Sequence, residues 1–163
     1  MAEQATERTT IAASPEVVYA TALDIERYPE WAQDIKEVAV VERDGEGRPL
    51  RVRFRAAAMG HSARYVLKYD HADAPRRLAW VLEQGDIVRK LDGEYHFEPA
   101  PNGGTDVTYH LEAELAVPLP GFIKRRAESK IMTTALEELR HRCEDASVPV
   151  SYTHLTLPTI YSV

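Results

Sequence analysis

Residues 14–38 read SPEVVYATALDIERYPEWAQDIKEV, and this stretch decides the fold. Ser14, Pro15 and Glu16 stand in the order a helix start prefers: a capping hydroxyl, a first-turn proline and an early acid. Val17, Val18, Tyr19, Ala22, Leu23 and Ile25 leave almost no polar face, so the helix should be well buried. Pro29 disfavours a helical backbone at Tyr28 and ends the run. A second short turn is expected over PEWAQDI. Two bulky aromatics, Tyr28 and Trp31, flank the break, which is more ring than a corner needs.

From residue 36 the pattern changes from helical to alternating, beginning with KEVAVVERD, which ends in the glycine-rich turn GEGRP. LRVRFRA sets Leu50, Val52 and Phe54 against Arg51, Arg53 and Arg55. ARYVLKYD, RLAWVLE, GEYHFEP and DVTYHLEAEL alternate in the same way, with glycine- and proline-rich turns between runs. A further strand around ERTTIAA brings the count to about seven in hairpin order. One face is aromatic and aliphatic and the other charged, so a second layer must cover the dry face. GFIKRRAESKIMTTALEELRHRC supplies it, with Ile123, Ala127, Ile131, Ala135, Leu139 and Cys143 recurring every four residues. The expected class is α+β: a curved antiparallel sheet around a long C-terminal helix, with two short helices between strands 1 and 2.

The chain has 163 residues and 44% apolar content, which suits one domain, placed at residues 1–146. A single cysteine, Cys143, excludes an internal disulfide framework, and the polar start MAEQATERTT carries no apolar leader core. A cytoplasmic location is therefore expected. A net charge of −6 argues against a general nucleic-acid binder. Residues 147–163, SVPVSYTHLTLPTIYSV, lack Asp, Glu, Lys and Arg and carry prolines at 149 and 158. Their wording resembles translated sequencing-adaptor read-through, so they are set aside as an unstructured tail. A native extended tail on a sheet edge is the alternative.

The opening stretch is similar to the signature of the polyketide cyclase/dehydrase and coenzyme Q-binding branch of the START-like (SRPBCC) superfamily. The matching residues are Ser14-Pro15, Asp24, Tyr28-Pro29 and Trp31. LAWVLEQG, LDGEYHFEP, GGTDVTYHLEAEL and VPLPGFIKRRAES read like the last strands and gripping helix of small actinobacterial members. The resemblance implies a helix-grip fold with a cavity between concave sheet and C-terminal helix. It implies a hydrophobic small-molecule partner, such as a lipid, quinone or polyketide. A minority of relatives are cyclases, aromatases or dehydratases, and others are interaction proteins of the ribosome-associated toxin type.

Trp31, Phe54, Tyr65, Trp80, Tyr95, Tyr109, Phe122 and Ile131 are the candidate cavity-lining residues, with Tyr28, Pro29 and Gly121 at the mouth. Tyr69 and Phe97 belong to the same aromatic set. Each ring alone is equally explained as core, but five adjacent strands presenting aromatics to one face suit a ligand cavity. The six histidines and one cysteine show no metal spacing, and GEG and NGG sit in hairpin turns rather than phosphate loops, so neither metal nor cofactor is expected. His96 and His110 fall on outward positions, which leaves no catalytic candidate. Asp24 and Glu26 read as capping or solvated residues, and Arg51, Arg53 and Arg55 as a wet-face ladder facing Glu94, Glu112 or Glu114. Lys124-Arg125-Arg126 beside Phe122 and Ile123 would allow a transient membrane-surface contact. A solvated helix end is the plainer reading.

Overall fold

The computed structural model describes residues 3–58, 60–116 and 120–145. Its strands are β1 (Glu3–Ile11), β2 (Ile35–Arg43), β3 (Pro49–Ala58), β4 (His61–Asp70), β5 (Arg77–Gly85), β6 (Val88–Pro99) and β7 (Thr105–Leu115). They form one curved antiparallel sheet in the order β1-β7-β6-β5-β4-β3-β2. Helix α1 (Pro15–Leu23) and a 3-10 turn (Ile25–Glu30) connect β1 to β2, and α2 (Gly121–Glu144) follows β7. The expected architecture is borne out, while the tail at 147–163 lies outside the described residues.

Helix α1 starts as its sequence requires. The Ser14 Oγ accepts the Val17 N–H at 3.3 Å, Pro15 occupies the first turn, and Val18, Ala20 and Ala22 are buried. The second turn begins before Pro29 rather than at it. A 3-10 turn needs few i→i+3 bonds, so it tolerates the one donor that Pro29 lacks. Tyr28 then reaches back, its hydroxyl donating to the Ala22 carbonyl near the end of α1. That carbonyl is among the last of the helix, which have no partner inside it.

Strand β6 begins at Val88, ahead of the GEYHFEP run that its alternation marks out. A register shift between Val88 and Lys90 puts Val88 and Leu91 both towards the core, three apart, which erases the period of two. Strands β5 and β6 are laddered only over Arg77–Trp80 and Gly93–His96. Beyond that point β5 follows β4 and β6 follows β7, and the Asp92 carboxylate accepts the Leu82 N–H at 2.8 Å in place of a ladder carbonyl. The sheet is thus creased between β5 and β6. Gly93 sits at the head of the crease, opposite Trp80. A Cβ there would come within 2.8 Å of Trp80 Cζ2 and Leu111 Cδ1 and 2.7 Å of the His110 carbonyl.

The apolar stripe of α2 holds over its C-terminal half, where Leu136 and Leu139 are buried and Ile131 and Ala135 lie against the core. It fails at Ile123, which is 41% exposed. Steps of four advance about 40° round a helix, so four steps carry Ile123 about 160° from Leu139. Ala127 still packs inward. α2 packs on β1, β7 and α1, and polar ties fasten its C-terminal half. Arg142 pairs with Glu30 at 2.8 Å, Glu138 accepts the Gln33 N–H at 3.0 Å, and Glu144 accepts the Ala12 N–H at 2.9 Å.

On the wet face, the arginine ladder finds other carboxylates than expected. Arg51 pairs with Glu42 and Glu83, and Arg55 with Glu37. The physical reason is strand order: β3 lies between β2 and β4, with β4 and β5 separating it from β6 and β7, too far for Glu94, Glu112 or Glu114 to reach. Asp24 and Glu26 are surface partners of Arg27 and Arg43 respectively, as expected.

Two substitutions test this account. Tyr28→Phe removes only the hydroxyl that serves Ala22, and urea denaturation should show a loss of about 1 kcal/mol. Gly93→Ala forces Trp80 aside, and the same measurement should show a loss of about 1–3 kcal/mol.

Candidate functional site

The concave face carries two runs of rings. In the first, Trp31 meets Tyr28 edge-on at 4.9 Å, Tyr28 lies 6.4 Å from Phe54, and Phe54 stacks on Tyr65 at 5.3 Å. In the second, Trp80 lies 6.0 Å from Tyr69, 5.5 Å from Tyr95 and 6.1 Å from Tyr109. Tyr95 also stacks on Tyr109 at 4.8 Å and on Phe97 at 5.7 Å, and Phe97 meets Tyr19 at 6.0 Å. These positions follow from the pleat: each strand ring stands on the inward phase of β3, β4, β5, β6 or β7.

Phe54, Tyr65, Trp80, Tyr95 and Tyr109 are therefore brought together, as their phase predicts, and all are buried. Trp31 and Tyr28 are half-buried at the junction, and Ile131 is half-buried against the same cluster. Pro29 and Gly121 lie exposed. Phe122 is 63% exposed, so it does not line the concave face; the turn of α2 that bears it points away from the sheet. His96 and His110 stay on the convex face, His96 within 2.6 Å of Glu94 and His110 Nδ1 within 2.8 Å of the Thr6 hydroxyl.

The tyrosine hydroxyls give the face its polarity. Among the described residues, Tyr28 is bonded to Ala22, whereas the hydroxyls of Tyr65, Tyr69, Tyr95 and Tyr109 have no hydrogen-bond partner. They are not sealed in: among the described side chains, His71 Nδ1 is the one polar atom fully enclosed without a partner, so the four hydroxyls border open space. Burial of the rings raises the pKa of all five tyrosines, so each phenol stays protonated and is a donor. Cys143, on α2, is pushed up to about 11 by burial and is an unreactive thiol.

A second concavity lies on the convex side of the crease, a shallow cleft of about 480 Å³. It is lined by Arg77, Asp70, Asp92, Glu94, His110 and Glu112 over Ala79, Val81 and Gly93. Most of its charges are already paired: Arg77 pairs with Glu94 at 2.8 Å, and Lys90 with Asp92 at 3.1 Å. The two faces differ in kind, one aromatic with four idle donors and one polar and self-paired. Sequence reasoning found the rings but not the role of Asp92 or Gly93. The only signal for either was an isolated glycine inside a strand pattern.

The architecture agrees with known proteins. No curated protein matches the sequence. Among solved structures, a START superfamily protein from Mycobacterium smegmatis superposes with a TM-score of 0.78 at 24% identity, covering 86% of this chain and 97% of that one. A protein from Thermus thermophilus gives 0.74 at 28% identity, covering 90% and 100%. The Zhui aromatase/cyclase from a Streptomyces species gives 0.74 at 16% identity, covering 91% and 97%. The family described as "polyketide cyclase / dehydrase and lipid transport" matches residues 2–144. With that match spanning nearly all of the described fold, the chain belongs to the polyketide cyclase/dehydrase and lipid transport family.

Proposed function

We propose that the protein binds a hydrophobic small molecule between the concave sheet face and α2, as a carrier or sequestering protein. The observation that carries this reading is the set of four protonated tyrosine hydroxyls, without partners among the described residues, on an otherwise apolar aromatic wall. Donors that border open space within such a wall are ready to bond a ligand carbonyl or hydroxyl. Stacked rings favour a planar unsaturated body over a bare alkyl chain. A quinone- or polyketide-like molecule, with oxygens along one edge, fits both demands. In this reading Tyr28, Pro29 and Gly121 stand at the mouth, Trp80 and Tyr109 at the base, and Ile131 on the helical wall.

The relatives named as aromatase/cyclase keep an enzymatic reading in view. Acid–base chemistry on a polyketide needs a group that exchanges protons near neutral pH. His96 and His110 stand on the convex face, and the buried His71 beside Tyr69 is tied through Nε2 to the Pro49 carbonyl with its Nδ1 fully enclosed. Binding is therefore the better-supported function.

Native mass spectrometry of protein purified from its host should show a copurified apolar adduct. Trp80→Ala and Tyr109→Ala variants should lose it, and a ligand-free mass for the parent protein under mild conditions would sink the proposal. The tyrosines also make an alkaline prediction. Each has a folded pKa above its unfolded value of about 10, so its contribution to stability is complete below pH 10 and declines as pH rises beyond it. Denaturant midpoints should fall steadily above about pH 10. Tyrosinate absorbance from the buried tyrosines should appear only with unfolding.

A further inference from the structure

We propose that the exposed start of α2 docks on the anionic surface of a phospholipid bilayer. The proposal is independent of what the concave face holds. Phe122 is 63% and Ile123 41% exposed, and they are adjacent residues among the few large apolar side chains left in solvent. Arg125, Arg126 and Lys130 are exposed on the next two turns. Among the described residues, none of the three has an acidic partner. The other half of the same helix is the reverse: Arg140 pairs with Glu137 and Glu144, and Arg142 with Glu30. Among the described residues, one helix thus has a paired, fastened end and an end with an apolar tip whose cations have no acidic partner.

Strand direction adds to the unpaired end. β4 and β6 begin where β7 finishes, as shown by the Asp86 N–H donating to the Arg64 carbonyl and the Ala116 N–H to the Ile87 carbonyl. Exposed Arg64 and Arg89 therefore lie at the same end of the sheet as the start of α2. The acids at this end are Asp86, occupied by the backbone N–H groups of Arg64 and Ile87, Glu37, paired with Arg55, Glu114, opposite Lys90 in the ladder, and exposed Asp34. A molecule of net charge −6 has gathered cations around two exposed apolar side chains at one end. The complementary surface is negatively charged with an apolar interior just beneath it, which is a bilayer containing anionic lipid. No described helix is long and apolar enough to cross a membrane, so the contact is peripheral.

Sedimentation of the full chain with phospholipid vesicles tests this. The protein should bind vesicles of mixed phosphatidylcholine and phosphatidylglycerol, bind phosphatidylcholine alone far more weakly, and be released by high salt. Each basic residue near such a surface contributes about 1 kcal/mol, about fivefold in partitioning. Arg125→Glu with Arg126→Glu should therefore weaken binding at least about twentyfold. Phe122→Ser should weaken it while leaving the salt dependence in place. Arg76→Glu, an exposed change at the opposite end of the sheet, should have little effect. Circular dichroism of each variant should match the parent, because every altered side chain is exposed. Equal binding to neutral vesicles, no binding to either, or equal losses from Arg76→Glu and the double reversal would overturn the proposal.

Discussion

One helix cannot cover seven strands. Six inter-strand spacings of about 4.8 Å make a sheet roughly 29 Å wide, whereas a helix with its side chains spans only about 10 Å. α2 meets this constraint at one side, packing on β1 and β7, with α1 beside it. The rest of the dry face, from β3 to β6, is covered only in part, by α1 on β5 and β6, and is otherwise shielded by curvature and by its own large side chains. The rings of Phe54, Tyr65, Tyr69, Trp80, Tyr95 and Phe97 stand in that zone, Phe97 meeting Tyr19 of α1 and Phe54 meeting Tyr28. Their size follows from the mismatch in width, and so does the space in which a ligand could lie.

The curvature has a definite origin. One break lies where β5 and β6 part, and Asp92 keeps the Leu82 N–H satisfied at the point where the ladder stops. Without an acceptor there, a sheet that opened would leave a donor unpaired. Gly93 does a second job at the same place by leaving room for the Trp80 indole. Crease and aromatic wall are thus coupled through two adjacent residues, one polar and one without a side chain.

Much of this is legible in the sequence because period-two alternation and helix capping are local. Ser14-Pro15-Glu16, the inward phases of β3, β4 and β7, and the long terminal helix all read directly. The failures share a cause, which is that they depend on neighbours distant in the chain. The partners of Arg51 and Arg55 are fixed by strand order, the start of β6 is hidden by a bulge, and the exposure of Phe122 and Ile123 depends on where α2 leaves the sheet. The idle state of the four tyrosine hydroxyls is likewise a property of the assembled face. Pattern gives direction along a strand or helix; it does not give company.

The aromatic wall also has an optical consequence. Trp80 stands among Tyr69, Tyr95 and Tyr109 at centroid distances of 6.0, 5.5 and 6.1 Å, so light absorbed by those tyrosines is passed efficiently to its indole. Trp31, the other tryptophan, sits in the separate run beside Tyr28, half in solvent. The chain therefore carries two emitters in unlike surroundings, one enclosed by donors and one near the surface. Their emission reports on the inside and the rim of the same face without any added label.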